Sequence, residues 1–300
     1  MGKIVVYAIG GNALSSPTGT DVEESALTLA KVISDVIDLL EAGWRVVLTH
    51  GNGPQVGHLM SLDSTQPMDE WVAATQGMIG HNLALNLESI LKRRNRPETT
   101  SVLLTRVLVD SQDNAFKFPS KPVGKILTDH QVMKEDWDIA ETVNGPRRVV
   151  ASPKPIEILD LNVIHSLLES RAIVICCGGG GIPVVKENNH FKGVPAVVDK
   201  DHLSGLLSVE LGASALIIST AVDSLRKNFG EENEEPITKL SISDAQVLLD
   251  EGQFPAGSMG PKVQSLIEAN LSNRDMKCII CSPGNAINAL RGESGTTIHQ

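Results

Sequence analysis

The chain has 300 residues, of which 41% are hydrophobic, so it is long enough to bury a substantial core. Its 26 lysines and arginines against 36 aspartates and glutamates give a formal net charge of -10, which argues against a nucleic-acid-binding protein. No apolar run approaches the roughly 20 residues of a membrane span, so we expect neither membrane nor nucleic-acid partners.

Strand and helix patterns alternate along the whole chain. The predicted strands lie at 3–9, 44–49, 101–109, 172–177, 215–220 and 277–281, and the predicted helices lie at roughly 22–42, 69–94, 156–170, 203–211 and 259–272, before a final helix and strand. These strands are continuous apolar runs, which is typical of a parallel sheet covered on both faces. We therefore predict an α/β three-layer sandwich with a central, mostly parallel sheet.

One stretch, 110–152, breaks this alternation. It is rich in proline and glycine and holds three of the nine aromatic residues of the chain. A structureless loop of that length is uncommon inside a compact domain. We therefore predict a single domain over 1–300 with a small inserted subdomain at 110–152, placed to act as a lid.

The four cysteines form two pairs, and each pair lies within an apolar run. Cys278 and Cys281 are three residues apart in a predicted strand, so they would point to opposite faces and could not clamp a metal ion together. We predict no metal site, and we expect reduced, buried thiols in a cytoplasmic protein.

Glycines gather where apolar strands end, at 10–11, 51–53 and 178–181. Ligands bind at the carboxyl edge of an open parallel sheet, and glycine lets backbone N–H groups approach an anion. Three such loops predict a phosphate-bearing ligand. The P-loop pattern, the dinucleotide-binding G-x-G-x-x-G pattern and the protein-kinase motifs are all missing.

Three lysines stand at positions suited to phosphoryl transfer. Lys200 and Lys262 fall at predicted helix starts, and Lys121 falls in the lid. Phosphoryl transfer needs positive charge next to the oxygens of the transferring group, so we expect these lysines to be catalytic. Asp201 could orient Lys200 or hold Mg²⁺ through water.

Eight segments, in order along almost the whole chain, resemble the carbamate kinases, which are members of the amino-acid-kinase family. They lie at 8–13, 49–57, 75–80, 121–124, 147–155, 177–184, 198–201 and 255–263. The resemblance implies the amino-acid-kinase fold and reversible phosphoryl transfer between carbamoyl phosphate and ADP, which gives ATP and carbamate with Mg²⁺. It also implies a homodimer.

The resemblance further assigns site residues. It implies that the carbamoyl-phosphate end is bound by Gly10, Gly11, Asn12, Gly51 and Asn52. It places Lys200, Asp201, Thr220, Asp223, Met259 and Lys262 at the nucleotide end, and Lys121 matches the lid lysine of the family.

The lid departs from the family pattern at Ala151 and at 143–146. Two alternatives therefore stay open. The first is an enzyme of the same fold that phosphorylates another small carboxylate or phosphate acceptor. The second is a non-catalytic paralogue that binds a nucleotide or metabolite, although the presence of Lys121, Lys200, Asp201 and Lys262 together argues against it.

Overall fold

The computed structural model describes residues 2–10, 22–63, 65–134, 136–142, 145–255 and 257–300. Within these ranges the α-helices are α1 (Val22–Glu41), α2 (Gly53–Leu62), α3 (Met68–Arg93), α4 (Asp129–Lys134), α5 (Leu161–Glu169), α6 (Lys200–Glu210), α7 (Ile242–Asp250), α8 (Gly260–Ser272) and α9 (Ala286–Arg291). The strands are β1 (Ile4–Ile9), β2 (Arg45–His50), β3 (Thr99–Val102), β4 (Arg106–Val109), β5 (Lys121–Ile126), β6 (Ile139–Thr142), β7 (Gly145–Val150), β8 (Pro155–Ile158), β9 (Ala172–Ile175), β10 (Ile182–Glu187), β11 (His190–Gly193), β12 (Ala215–Ser219), β13 (Leu225–Lys227), β14 (Glu235–Ile237), β15 (Lys239–Ser241), β16 (Lys277–Cys281) and β17 (Thr296–His299).

The main sheet has eight strands in the order β15-β17-β16-β12-β1-β2-β9-β3. Its central strands pair in parallel, and only the β16–β17 pairing is antiparallel. This arrangement confirms the predicted α/β class with a mostly parallel sheet.

Two apolar cores lie on the two faces of the main sheet. In β1, Val6 and Ala8 belong to one core, while Val5, Tyr7 and Ile9 belong to the other. The first core packs against α5, α6, α7 and α8, and the second packs against α1, α3 and α9. Helices therefore cover both faces, which explains why the strands are apolar at every position.

The cysteines follow the same alternation. Cys278 is buried in the first core and Cys281 in the second, as expected for residues three apart in a strand. Cys176 and Cys177 are buried as well, and all four thiols are free.

A second sheet, in the order β11-β10-β4-β8, corrects two predictions. The predicted strand at 101–109 is two strands, because the chain leaves the main sheet after β3 and enters the second sheet at β4. The predicted helix at 156–170 begins with β8, which pairs with β4, and becomes helical only at Leu161, after Asp160. Asp160 accepts hydrogen bonds from the backbone and guanidinium of Arg106, and these bonds hold this boundary in place.

The stretch 110–152 holds a three-stranded antiparallel sheet, β5-β7-β6, which we call the lid sheet. It packs on α2, and its Val123 and Val150 share a small apolar cluster with Val56 and Met60 of that helix. Gly57 and Gly124 are in backbone contact there, because a Cβ atom at Gly57 would lie 2.0 Å from the Gly124 nitrogen. Movement of this stretch as a lid stays a prediction.

The helices of the described part of the chain include none with the length and hydropathy that a transmembrane helix needs.

Candidate active site

The glycine loops meet at the carboxyl edge of the main sheet. Strands β12, β1, β2 and β9 are adjacent and parallel, so the residues that follow them lie side by side. The loops are tied together through their backbones: Gly10 donates to the Ser219 carbonyl at 3.0 Å, and Gly51 donates to the Ile9 carbonyl at 3.2 Å. The predicted clustering of glycine at one sheet edge is thus present, and it is a suitable setting for a phosphate group.

The third loop, Gly178–Gly181, turns sharply after β9. Three of its glycines have positive φ values of 62° to 84°, which a residue with a side chain rarely adopts. At Gly179 a Cβ atom would also lie 2.1 Å from the side-chain nitrogen of Asn52. Glycine is therefore required at this position both by the backbone conformation and by the Asn52 amide.

Helix α3 holds the Gly178–Gly181 loop in place through the side chain of Gln76. Gln76, which is buried, donates from its amide nitrogen to the Gly178 carbonyl at 2.9 Å, and its amide oxygen accepts from the Thr105 backbone at 2.8 Å. Thr105 in turn accepts from the Cys177 backbone at 3.0 Å through its hydroxyl. The glycine loop is consequently held by side chains rather than by a strand.

Two lysines share one buried carboxylate. Lys200 donates to Oδ1 of Asp201 at 2.5 Å, and Lys262 donates to Oδ2 of the same carboxylate at 3.0 Å. Lys200 lies in the first turn of α6 and Lys262 in the first turn of α8, so the N-termini of both helices point into the same region. This region therefore combines two ammonium groups with two helix N-termini.

The lid lysine joins this group through the cap of α6. Asp199 accepts from the Asp201 backbone at 2.8 Å through Oδ1, and its Oδ2 is paired with Lys121. Three lysines and two aspartates thus form one connected cluster, which we call the lysine cluster, and it carries one net positive charge. An anionic ligand would complete its charge balance.

The pKa shifts within the cluster follow from burial and from these pairs. Burial raises the pKa of Asp201, but the charges of Lys200 and Lys262 outweigh it and the pKa falls below its usual range. The same competition, with Lys121 as the partner, holds the pKa of Asp199 well below its usual range. Burial lowers the pKa of Lys200, and Lys262 lowers it further, while Asp201 opposes both.

His50, the last residue of β2, is completely buried beside the glycine loop. A Cβ atom at Gly178 would lie 2.3 Å from its Nε2 atom, and its Nδ1 atom lies 3.0 Å from the Gly51 carbonyl. Burial, with a smaller contribution from Lys200, lowers the pKa of His50 to about 4. The imidazole is therefore neutral at pH 7 and its Nδ1 donates to Gly51.

The structure brings together Lys121, Lys200, Asp201 and Lys262, and it places Gly10, Gly51 and Asn52 at the neighbouring glycine loops. Met259 precedes α8, and the backbone of Thr220 donates to the Cys281 carbonyl at 3.0 Å at the end of β12. Asp223 is different, because 65% of its side chain is exposed and it pairs with Arg226, outside the lysine cluster. The predicted Gly11 and Asn12 lie outside the described residues.

Three further residues contact this region without having been singled out from the sequence: Asp199, His50 and Gln76. A signal existed for each, because Asp199 directly precedes Lys200, and the other two lie in segments that carry the family resemblance. Their contacts join distant parts of the chain, as in the pairing of Lys121 with Asp199 across 78 positions, so the sequence could not show which partner each would find.

The sequence model of the amino acid kinase family matches residues 3–282. The chain is 39% identical to the carbamate kinase-like protein YqeA of Escherichia coli, with all of both chains covered. It is also 39% identical to the carbamate kinase of Clostridium perfringens, over 98% of this chain and 99% of that protein.

Solved structures agree with these relatives. The carbamate kinase of Giardia lamblia bound to AMP-PNP superposes with a TM-score of 0.87 at 35% identity, over 99% of this chain and 98% of that one. The same enzyme bound to citric acid superposes with a TM-score of 0.90, again at 35% identity, over the same shares of both chains. By its fold and its full-length similarity, this chain belongs to the carbamate kinases within the amino acid kinase family.

Proposed function

We propose that this protein transfers a phosphoryl group reversibly between carbamoyl phosphate and ADP, giving ATP and carbamate. The observation that carries the proposal is the lysine cluster beside three glycine loops, in a chain similar to carbamate kinases over its full length. Phosphoryl transfer needs little covalent chemistry from the protein and depends on positioning and charge stabilisation. The cluster supplies the charge, and the loops supply backbone N–H groups close to the reacting phosphate.

Each part of the cluster has a separate role in this proposal. Lys200 and Lys262 contact the transferring phosphoryl group, and Asp201 holds their two ammonium groups at fixed positions. Because Asp201 is buried and already holds both ammonium groups in place, little water has to reorganise when charge develops on the phosphate. Lys121 approaches from the lid sheet, and its pairing with Asp199 keeps it beside the other two lysines.

The substrate end and the nucleotide end lie on opposite sides of β1. We propose that Gly10, Gly51 and Asn52 bind carbamoyl phosphate on the β2 and β9 side. Thr220, at the end of β12, and Met259, before α8, then lie on the nucleotide side. Asp223 follows Thr220 by three residues and is mostly exposed, so we propose that it meets the exposed part of the nucleotide.

Mg²⁺ is proposed to accompany the nucleotide. The described residues contain no group of three or more side chains of the types that hold metal ions. Mg²⁺ commonly keeps several waters and is held mainly by substrate phosphates, and Asp201, whose two oxygens accept from Lys200 and Lys262, would reach it only through water. The ion would neutralise phosphate charge during transfer.

A coupled assay of ATP formation tests the proposal. The purified protein is mixed with ADP, Mg²⁺ and carbamoyl phosphate, and ATP formation is compared with that from acetyl phosphate. Preferential use of carbamoyl phosphate supports the proposal. Preference for another acyl phosphate would favour a different small acceptor, in line with the altered lid sequence at Ala151, and no ATP from any phosphate donor would favour a non-catalytic paralogue.

The stretch 110–152 is proposed to close over the two substrates. The lid sheet rests on α2, and its Lys121 already pairs with Asp199, so opening of the lid would withdraw Lys121 from the lysine cluster and closure would return it. Hydrogen exchange measures this directly. Lid amides should exchange faster than those of the main sheet and slow when ADP and carbamoyl phosphate are both present, whereas equal protection without ligands would contradict the proposal.

A homodimer is proposed as well. Strand β3 is one edge of the main sheet, and exposed apolar side chains lie on it and on the neighbouring helix α3, including Val102 and Leu85. The Thr100 backbone of this strand already donates to Glu88 of α3 at 2.6 Å, so a second copy of the chain would pack here mainly by covering these apolar side chains. Light scattering should give twice the 32.1 kDa chain mass. Leu85→Asp should give monomers, whereas Leu271→Asp, at an equally exposed position on α8, should not.

We also propose a cytoplasmic location, on the basis of the cysteines. All four cysteines are free and buried, although Cys176 and Cys177 are adjacent. Reduced thiols are the normal state of proteins in that compartment.

A further inference from the structure

The side chain of Asn52 makes a hydrogen bond whose direction can be deduced. Its side-chain nitrogen lies 3.0 Å from the hydroxyl of Thr75, and both residues are buried. The hydroxyl also lies 2.7 Å from the Val72 carbonyl, one turn earlier in α3. These two contacts settle which end of the Asn52 amide faces Thr75.

A threonine hydroxyl has one proton to donate, and a carbonyl oxygen can only accept. The proton of Thr75 is therefore committed to Val72, and toward Asn52 the hydroxyl can act only as an acceptor. The NH₂ end of the Asn52 amide must then face Thr75, since the reversed amide would set two acceptors against each other. The orientation follows from the hydrogen-bond pattern and not from the shape of the side chain.

The other end of the Asn52 amide, its Oδ1 atom, is available to accept a hydrogen bond. No hydrogen bond from the described part of the chain reaches the Oδ1 atom of Asn52, and the amide packs against Gly179 of the glycine loop. Asn52 lies directly after Gly51, at the carboxyl end of β2. An acceptor oxygen is therefore fixed among the loops where the small substrate is proposed to bind.

We infer that Thr75 orients Asn52 so that its amide oxygen accepts a hydrogen bond from the amino group of the carbamoyl substrate. Thr75 is thus a positioning residue that sets substrate choice. The inference rests on the proposed function. Carbamoyl phosphate and acetyl phosphate have nearly the same shape, but only the carbamoyl group has N–H donors. A fixed acceptor therefore separates the two, because a methyl group would take the amide oxygen out of contact with water and leave it unpaired.

The test uses Thr75→Val and the conservative Thr75→Ser in the full chain, with carbamoyl phosphate and acetyl phosphate as alternative donors to ADP. Valine removes the acceptor and lets the Asn52 amide reverse. We expect kcat/KM for carbamoyl phosphate to fall about 10-fold, with a change of less than about 2-fold for acetyl phosphate. Serine keeps the hydroxyl and should restore the wild-type ratio. Thr75→Ala also removes the hydroxyl and gives the same test if the valine variant fails to fold.

Thr296→Val is the matched control. Thr296 is also fully buried, and its hydroxyl likewise accepts from one group, the Leu225 backbone, and donates to a carbonyl, that of Ile237. Its loss should cost stability without changing the ratio between the two substrates. If the ratio of kcat/KM values for the two substrates is unchanged in Thr75→Val, including by an equal fall for both, this inference is wrong and the proposed function still stands. No ATP from carbamoyl phosphate in the wild type overturns the proposed function, and this inference with it.

Discussion

Lys121 of the lid sheet is paired with Asp199, the residue that caps α6, across 78 positions of the chain. One oxygen of Asp199 serves the helix cap and the other serves the lysine, so the start of α6 and the lid are held by the same carboxylate. The position of the lid lysine is therefore coupled to the helix turn that carries Lys200 and Asp201.

Lys121→Ala should separate catalysis from nucleotide binding. We expect ATP formation from carbamoyl phosphate to fall about 10²-fold, because one of the ammonium groups that stabilise the negative charge of the transferring group is lost. Calorimetric ADP affinity should change little, since Lys200 and Lys262 remain. Lys125→Ala, an exposed lysine on the same strand, is the control. If ADP affinity falls together with the rate, Lys121 belongs to the nucleotide site.

Lys200→Ala and Lys262→Ala should each lower turnover about 10²-fold or more with the fold retained, because Asp201 keeps one lysine partner in either variant. The double variant leaves Asp201 buried without either lysine. It should therefore lose about 3–5 kcal/mol of unfolding free energy, more than the two single variants together. Denaturant titration and the coupled assay measure the two effects. Normal turnover in either single variant would remove that lysine from the mechanism, and exposed Lys186→Ala serves as the control.

Gly179→Ala and Gly212→Ala form a matched pair. Their φ values are 62° and 57°, so alanine costs about 1–2 kcal/mol of backbone strain at each position. Only at Gly179 would the new methyl group strike the Asn52 amide, since nothing lies within 4 Å of a Cβ atom at Gly212. We expect Gly179→Ala to lose about 1–3 kcal/mol more stability than Gly212→Ala because of this clash, and we expect a fall of about 10²-fold in kcat/KM only for Gly179→Ala. Equal activities would show that the loop does not need this contact.

His50 should make the protein less stable in mild acid. Its pKa is about 4 in the folded protein, against about 6.5 in the unfolded chain, so between these values the unfolded chain binds the extra proton. Stability from this residue is thus complete above about pH 7 and is lost as the pH falls from 6.5 toward 4. At pH 5 the loss is about 2 kcal/mol.

Denaturant titration of the wild type and His50→Asn at pH 5 and pH 8 measures this effect. The asparagine variant should lose about 2 kcal/mol less than the wild type between the two pH values, whatever its stability at pH 8. An identical loss in both proteins would mean that the imidazole is already solvated in the folded state.

The main sheet was predictable because burial on both faces leaves a direct mark on the sequence, as in the unbroken apolar run of β1. The lid sheet left no such mark, since β5 has one buried residue, Val123, and β6 has none. The break between β3 and β4 was hidden for a different reason. It is held by Gln76 of α3, which binds the Thr105 backbone, and a partner 29 positions away has no local signature.

The same distinction applies to the site. Lys200 and Lys262 could be predicted because each lies beside a recognisable helix start. The role of Thr75 could not, because a threonine inside a helix pattern is ordinary until its hydroxyl is seen to lie between Val72 and Asn52.

The contact of Gly57 with Gly124 leaves no room for even a methyl group between α2 and the lid sheet. In the proposed lid movement, the lid sheet would have to turn about this contact or break it. Lys121 is three residues from Gly124 along β5, so a rotation about the contact would displace its backbone only a short way. A side chain at either glycine would push the lid sheet away from α2 and so shift the point about which it turns.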